Sequence, residues 1–198
     1  MIAVNVGVSF LGFRALRDAG GARADEFLFI PYQVARGRNG LGLLLSHVSH
    51  GDLLHLVLNM WALYSFAPPV IDVVGVGWFL FIYVVAALGA DLMIFAVRHE
   101  DPLYRCLGAS GSVVGIMTAA VVIDPSISIV LFIIPVPVPG PLFMLAYALF
   151  SVFAISRGKR LGVSHEGHLG GALLGLAVTV LLAPDGLQPL LRWFSQWR

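Results

Sequence analysis

The chain has 198 residues, of which 59% are hydrophobic and only 12% charged, with a mean hydropathy of +0.91. A soluble domain of this length could bury one core but would need far more charge to cover its surface, so the composition is that of an integral membrane protein held in a lipid bilayer. A net charge of +1 with no long basic run excludes a nucleic-acid footprint, and a single cysteine, Cys106, excludes an intrachain disulfide and any cysteine-rich metal cluster.

Apolar runs broken by polar or Pro/Gly segments predict six membrane spans, at 2–16, 53–71, 78–97, 109–124, 141–157 and 167–183. The expected architecture is an all-α bundle of six transmembrane helices, forming one membrane domain over 1–198. The opening MIAVNVGVSFLGF has no basic lead and no A-x-A site after it, so it reads as the first span rather than a cleaved signal. A long connector follows, from Arg17 to Asp52, in which FLFIPYQVARG and LGLLLSHVSH read as partly buried, interfacial helices. The stretch ISIVLFIIPVPVPGP, 127–141, is apolar enough to span, but its four prolines make it a membrane-hugging loop.

Polar residues inside such spans are costly and need a reason. His55 and Asn59 are four apart and so share one face of the second span, where interhelical hydrogen bonding is their plainest use. Gly108-Ala109-Ser110-Gly111 opens the fourth span, where unpaired backbone N–H groups and the positive end of the helix dipole favour a developing negative charge. Gly111, Gly115 and Ala119 also form a stripe of small residues that lets another helix come close, and GxSG alone carries little weight. In EGHLGGALLG, His168 stands at the start of the sixth span with Gly171 and Gly175 along the same face. If the two glycine stripes pack together, Ser110 and His168 lie at one level and the hydroxyl gains a base, with His55 and Asn59 as donors toward an oxyanion. The span starts at 53, 109 and 167 belong to even-numbered helices and so share one membrane face. Asp91, in the third span, reads as a hydrogen-bonding partner for a neighbouring helix and is left outside the site.

HLVLNMWAL at 55–63, GASG at 108–111 and GHLGGALLG at 167–175 occur in order on the second, fourth and sixth spans. With these three segments the chain resembles, over nearly all its length, the rhomboid family of intramembrane serine proteases. The resemblance implies Ser110 as nucleophile and His168 as general base, a dyad needing no third acid, no metal and no cofactor. It implies that His55, Asn59 and the backbone N–H of Ser110 hold the oxyanion, and that His50 braces the region. Gly108, Gly111, Gly171 and Gly175 belong to the matching motifs as supports. The helix at 141–157 and the loop SRGKRLGVSHEG would form the gate, and single-span transmembrane proteins that unwind near one membrane face would be the substrates. Four positions depart from the family's pattern: Leu41 and Gly42 replace a frequent Trp-Arg pair, Val114 replaces an aromatic that stacks on the catalytic histidine, and Asp72 replaces a glutamate.

Rival readings are weaker. An inactive relative that binds membrane helices without cutting them would usually have lost the serine or the histidine, and both are present. A small transporter would carry inverted repeats and helices broken at midplane, and the sequence has neither. A metal centre is suggested by His47, His50 and His55 and by His165-Glu166-Gly167-His168, but the H-E-x-x-H spacing is absent. Two arguments oppose each other on orientation. The resemblance puts the catalytic face outside the cytoplasm, in the inner membrane of a cell, whereas ten of the twelve Lys and Arg residues lie on that face, which the positive-inside rule would turn inward. The family orientation is adopted. The sequence carries no mark of oligomeric state.

Overall fold

The apolar runs fold as helices in a computed structural model that describes residues 1–17, 23–130, 136–158 and 163–196. In chain order the elements are α1 (Ile2–Arg17), a 3-10 turn (Ala24–Phe27), α2 (Pro31–Val34), α3 (Gly40–Leu45), a second 3-10 turn (Ser46–Val48), α4 (Leu53–Arg98), α5 (Ser110–Ile123), strands β1 (Ser128–Ile129) and β2 (Val138–Pro139), α6 (Gly140–Ser156), α7 (His165–Leu182) and α8 (Gln188–Ser195). The result is an all-α membrane fold with one minimal antiparallel hairpin, Ser128 opposite Pro139 and Ile129 opposite Val138. That hairpin closes the ends of the proline-rich loop, whose residues 131–135 lie outside the described ones.

The second and third predicted spans are not separated by a connector at 72–77. Instead α4 runs on through Pro68 and Pro69 and breaks at Gly75, with φ 79° and ψ 165°. Only glycine takes that backbone without strain, so one residue does the work expected of a loop. By length and composition α4 and α7 can cross a membrane, whereas α5 and α6 are apolar but shorter. The 14 residues of α5 rise about 21 Å at 1.5 Å per residue, less than the ~30 Å of a bilayer's hydrocarbon core.

Helix α5 is the centre of the bundle. Val113, Ile116, Ala119 and Ala120 are buried in one cluster with Leu56, Leu63, Val70 and Ile82 of α4. Outward faces remain apolar: Trp61, Tyr64, Leu88, Leu92, Leu149 and Leu181 are exposed, a coat suited to lipid rather than water. The first connector folds as short elements. Asn39 adopts a left-handed conformation at φ 61° and caps α3, its side chain accepting from the Gly42 N–H at 3.1 Å. A side chain at 42 would strike Asn39 and the carbonyls of Leu28 and Asp25, which accounts for glycine at a position where the resembled family often has a bulky residue. Helix α8 has no counterpart among the predicted spans; it is eight residues long and exposes Leu191 and Phe194.

Candidate active site

Glycine decides how closely α5 and α7 approach. A Cβ added at Gly175 would lie 2.7 Å from the Cα of Gly115, one at Gly171 would lie 2.7 Å from the carbonyl carbon of Gly111, and one at Gly111 would lie 2.5 Å from the Cβ of Ala90 on α4. No real carbon pair sits that close, so the backbones touch only because these side chains are absent. At the end of this contact His168 Nε2 lies 2.6 Å from Ser110 Oγ.

Each helix start adds a constraint. Ser110 is itself the first residue of α5, so its N–H is among those with no acceptor inside the helix. Helix α7 begins two residues earlier than the predicted span, because Ser164 Oγ caps it by accepting the Gly167 N–H at 3.2 Å. Ser164 Oγ also lies 2.8 Å from the Tyr104 hydroxyl. One residue into the same turn, Arg98 Nε donates to Glu166 Oε1 at 2.7 Å, in an ion pair whose carboxylate side chain is only 4% exposed. This pair ties the end of α4 to the turn that carries His168, and loss of either partner would strand a buried charge.

Gly108 has φ 131°, donates its N–H to Ser46 O at 2.9 Å, and leaves room for the His55 ring, which would lie 2.8 Å from a Cβ there. The His55 ring meets the His50 ring edge to face, with centroids 4.9 Å apart. His50 is fully buried; its Nδ1 lies 2.8 Å from Ser9 Oγ on α1, while its Nε2 has no partner among the described residues. Burial first, and the neighbouring His55 second, push the pKa of His50 down to about 4, so it is neutral at pH 7. Asn59 is buried beside His55 and donates from Nδ2 to its carbonyl at 2.9 Å. Together His55, Asn59, Ser110, Val114 and His168 line a cavity of about 710 Å³, whose wall also includes Leu103 and Gly51.

A second cavity, of about 30 Å³, is lined by Ser110 and His168 together with His47 and Asp91. Asp91 Oδ2 sits 2.8 Å from His47 Nε2, so its partner is a histidine in the 3-10 turn, not a neighbouring membrane helix as expected. Among the described residues no three His, Cys, Asp or Glu side chains come together as a metal site. Cys106 pairs with Phe29 as an isolated backbone bridge, and burial pushes its thiol up to about 12 with Asp91 nearby adding to the effect. Lys159, Arg160 and Arg198, three of the charges weighed for orientation, lie outside the described residues, as do 161 and 162 of the loop before His168.

Sequence reasoning missed Tyr147. Its hydroxyl makes a short hydrogen bond with His168 Nδ1, and its ring lies 6.0 Å from the imidazole at 33°. It thus supplies from α6 an aromatic neighbour for the imidazole that Val114 cannot. The available signal was a pair of polar tips, Tyr147 and Ser151, one turn apart in an otherwise apolar helix.

Residues 38–185 match the Rhomboid domain family. Among curated proteins, the chain is 30% identical to the presenilin-associated rhomboid-like protein, mitochondrial, of Rattus norvegicus over 139 residues, covering 68% of this chain and 36% of that protein. The human protein of the same name is 29% identical over the same length and shares. Rhomboid protein 1, mitochondrial, of Saccharomyces cerevisiae is 29% identical over 143 residues, 69% of this chain and 40% of that one. The matched segment spans little more than a third of these relatives. No solved structure matches the chain.

Proposed function

Because the chain belongs to the rhomboid family, we propose that it is an intramembrane serine endopeptidase that cuts transmembrane helices of membrane proteins through Ser110 and His168. The observation that carries this reading is the 2.6 Å separation of Ser110 Oγ and His168 Nε2 at the wall of a cavity of about 710 Å³. A hydroxyl is a weak nucleophile until a base within hydrogen-bond reach takes its proton.

In the proposed reaction a substrate segment unwinds into the cavity, and Ser110 Oγ attacks the scissile carbonyl carbon while His168 Nε2 accepts the hydroxyl proton. The carbonyl oxygen becomes an oxyanion facing the Ser110 N–H, the His55 ring and the Asn59 amide. Donors already fixed in place stabilise that charge without reorganising, and the start of α5 adds its dipole. When the tetrahedral intermediate collapses, the C–N bond breaks and His168 returns the proton to the leaving amine. Water then attacks the acyl-serine with His168 again as base, releasing the acid and restoring the hydroxyl.

Six membrane crossings, one membrane domain over the whole chain, single-span protein substrates and a site facing away from the cytoplasm belong to the same proposal. Support for the crossings comes from α4, whose two arms meet at Gly75, and from the apolar coat of the helices. The names of the relatives place those proteins in mitochondria. The test is cleavage of a single-span substrate in detergent or liposomes by the wild type and by Ser110→Ala, His168→Ala and the double variant. Each single change should abolish cutting with the fold intact, and the double should be scarcely worse than either, because residues that act as a unit lose their effect together. A Ser110→Ala protein that cuts at the wild-type rate would refute the proposal.

A further inference from the structure

A histidine can take a proton at Nε2 only when its own proton sits on Nδ1, and the partner of Nδ1 sets which nitrogen that is. Among the described residues no carboxylate fills that place; the partner is the Tyr147 hydroxyl. A phenol can play either role. If it donates to Nδ1, the ring proton moves to Nε2, which would then donate to Ser110 and could not accept from it. If the phenol oxygen accepts from Nδ1–H, Nε2 is left bare toward Ser110.

We propose that Tyr147 is a positioning residue whose phenol oxygen accepts from His168 Nδ1–H, fixing the tautomer in which Nε2 faces Ser110. This rests on the reading of Ser110 and His168 given above. The accepting role is the one that leaves Nε2 bare toward Ser110 Oγ, 2.6 Å away, and two observations show how the phenol is placed for it. The ring is held from the other side by Phe143, stacked at 6.1 Å and 5°. The other histidines near the site are engaged elsewhere: His50 and His55 meet each other, and the His165 ring meets Phe150 edge to face. After proton transfer the same bond continues to hold the imidazolium, since Nδ1–H still donates to the phenol oxygen. Helix α6 is the more loosely held support: it buries only Gly140, Pro141, Ser151 and Ala154 and leaves Leu142, Leu145, Leu149 and Phe153 exposed. The orientation of the base is therefore tied to the position of α6, so a displacement of that helix unsets the dyad.

The test uses the full chain in detergent. Tyr147→Phe keeps the ring and removes only the oxygen, and should lower kcat about ten- to a hundredfold, taking as a guide the range for losing the outer hydrogen-bond partner of a metal-ligating histidine, with KM within about twofold. Nitrogen-15 spectra of the imidazoles, with His168 assigned through a His168→Gln variant, should give the Nδ1–H tautomer in the wild type and a mixture in Tyr147→Phe. Phe143→Leu, which leaves the hydroxyl in place, should keep the wild-type spectrum. An Nε2–H tautomer in the wild type would overturn the proposal, as would wild-type kcat and an unchanged spectrum in Tyr147→Phe, or an effect confined to KM. A fall in kcat with an unchanged spectrum would do the same. The spectra are recorded without substrate, so a wild-type chain that cuts nothing would sink the protease reading while leaving the assignment of Tyr147 to be judged on its own.

Discussion

Replacing Gly171 by alanine tests whether backbone contact between α5 and α7 sets the distance on which the chemistry depends. The new methyl would lie 2.1 Å from the carbonyl oxygen, 2.7 Å from the carbonyl carbon and 3.1 Å from the Cα of Gly111. Carbon atoms in contact prefer about 3.5–4.0 Å, so the helices must part by about 1 Å, and no rotamer change relieves a clash with backbone. Gly111 adjoins Ser110, and Gly171 stands three residues after His168, so the separation passes almost undiminished to the 2.6 Å bond. Stretched to about 3.5 Å it ceases to be a hydrogen bond, and misplacement on this scale costs about a hundredfold in rate. Overpacking should also lower stability by about 1–3 kcal/mol. Initial rates on a single-span substrate, with thermal unfolding measured in parallel, separate the two effects. Gly7→Ala on α1, where nothing lies within 4 Å of the added Cβ, is the control. A folded Gly171→Ala protein cutting within twofold of wild type would refute the reasoning.

Two other outcomes follow from the site. Asn59→Ala should lower kcat by about ten- to a thousandfold with little change in KM, the range for losing one preorganised donor; a defect in KM alone would remove Asn59 from the oxyanion site. His50 is held near a pKa of about 4 against an ordinary 6.5, so between those values the unfolded chain takes up a proton that the folded chain refuses. The stability from keeping this ring neutral is therefore complete above pH 6.5 and declines as the pH falls toward 4, at up to about 1.4 kcal/mol for each pH unit. Thermal unfolding from pH 7.5 to 4.5 should show a steeper loss of stability in the wild type than in His50→Asn, the difference being at most that slope, and equal slopes would contradict it.

Spacing within one helix was legible in the sequence. Gly111 and Gly115 on one helix, and Gly171 and Gly175 on another, read as close-packing faces from their four-residue repeat, and these faces do meet. The His55 and Asn59 pair reads as one face in the same way, and the two residues line one cavity. What the sequence hides is contact between distant segments. His47 with Asp91, Arg98 with Glu166 and Tyr147 with His168 are separated by 44, 68 and 21 residues, and no local period marks them. The missed connector has a different cause: a Gly-containing, less regular stretch looks like a loop, yet a single glycine at φ 79° turns the chain without one. A lone capping hydroxyl at Ser164 likewise starts α7 ahead of its apolar run.

The central claim is that Ser110 is a nucleophile activated by His168, and labelling of the purified chain by a fluorophosphonate followed by mass mapping tests it most directly. The account predicts one adduct, on Ser110, lost in Ser110→Ala and strongly slowed in His168→Ala. An adduct on another residue, or an unlabelled Ser110 in the folded wild-type protein, would contradict it.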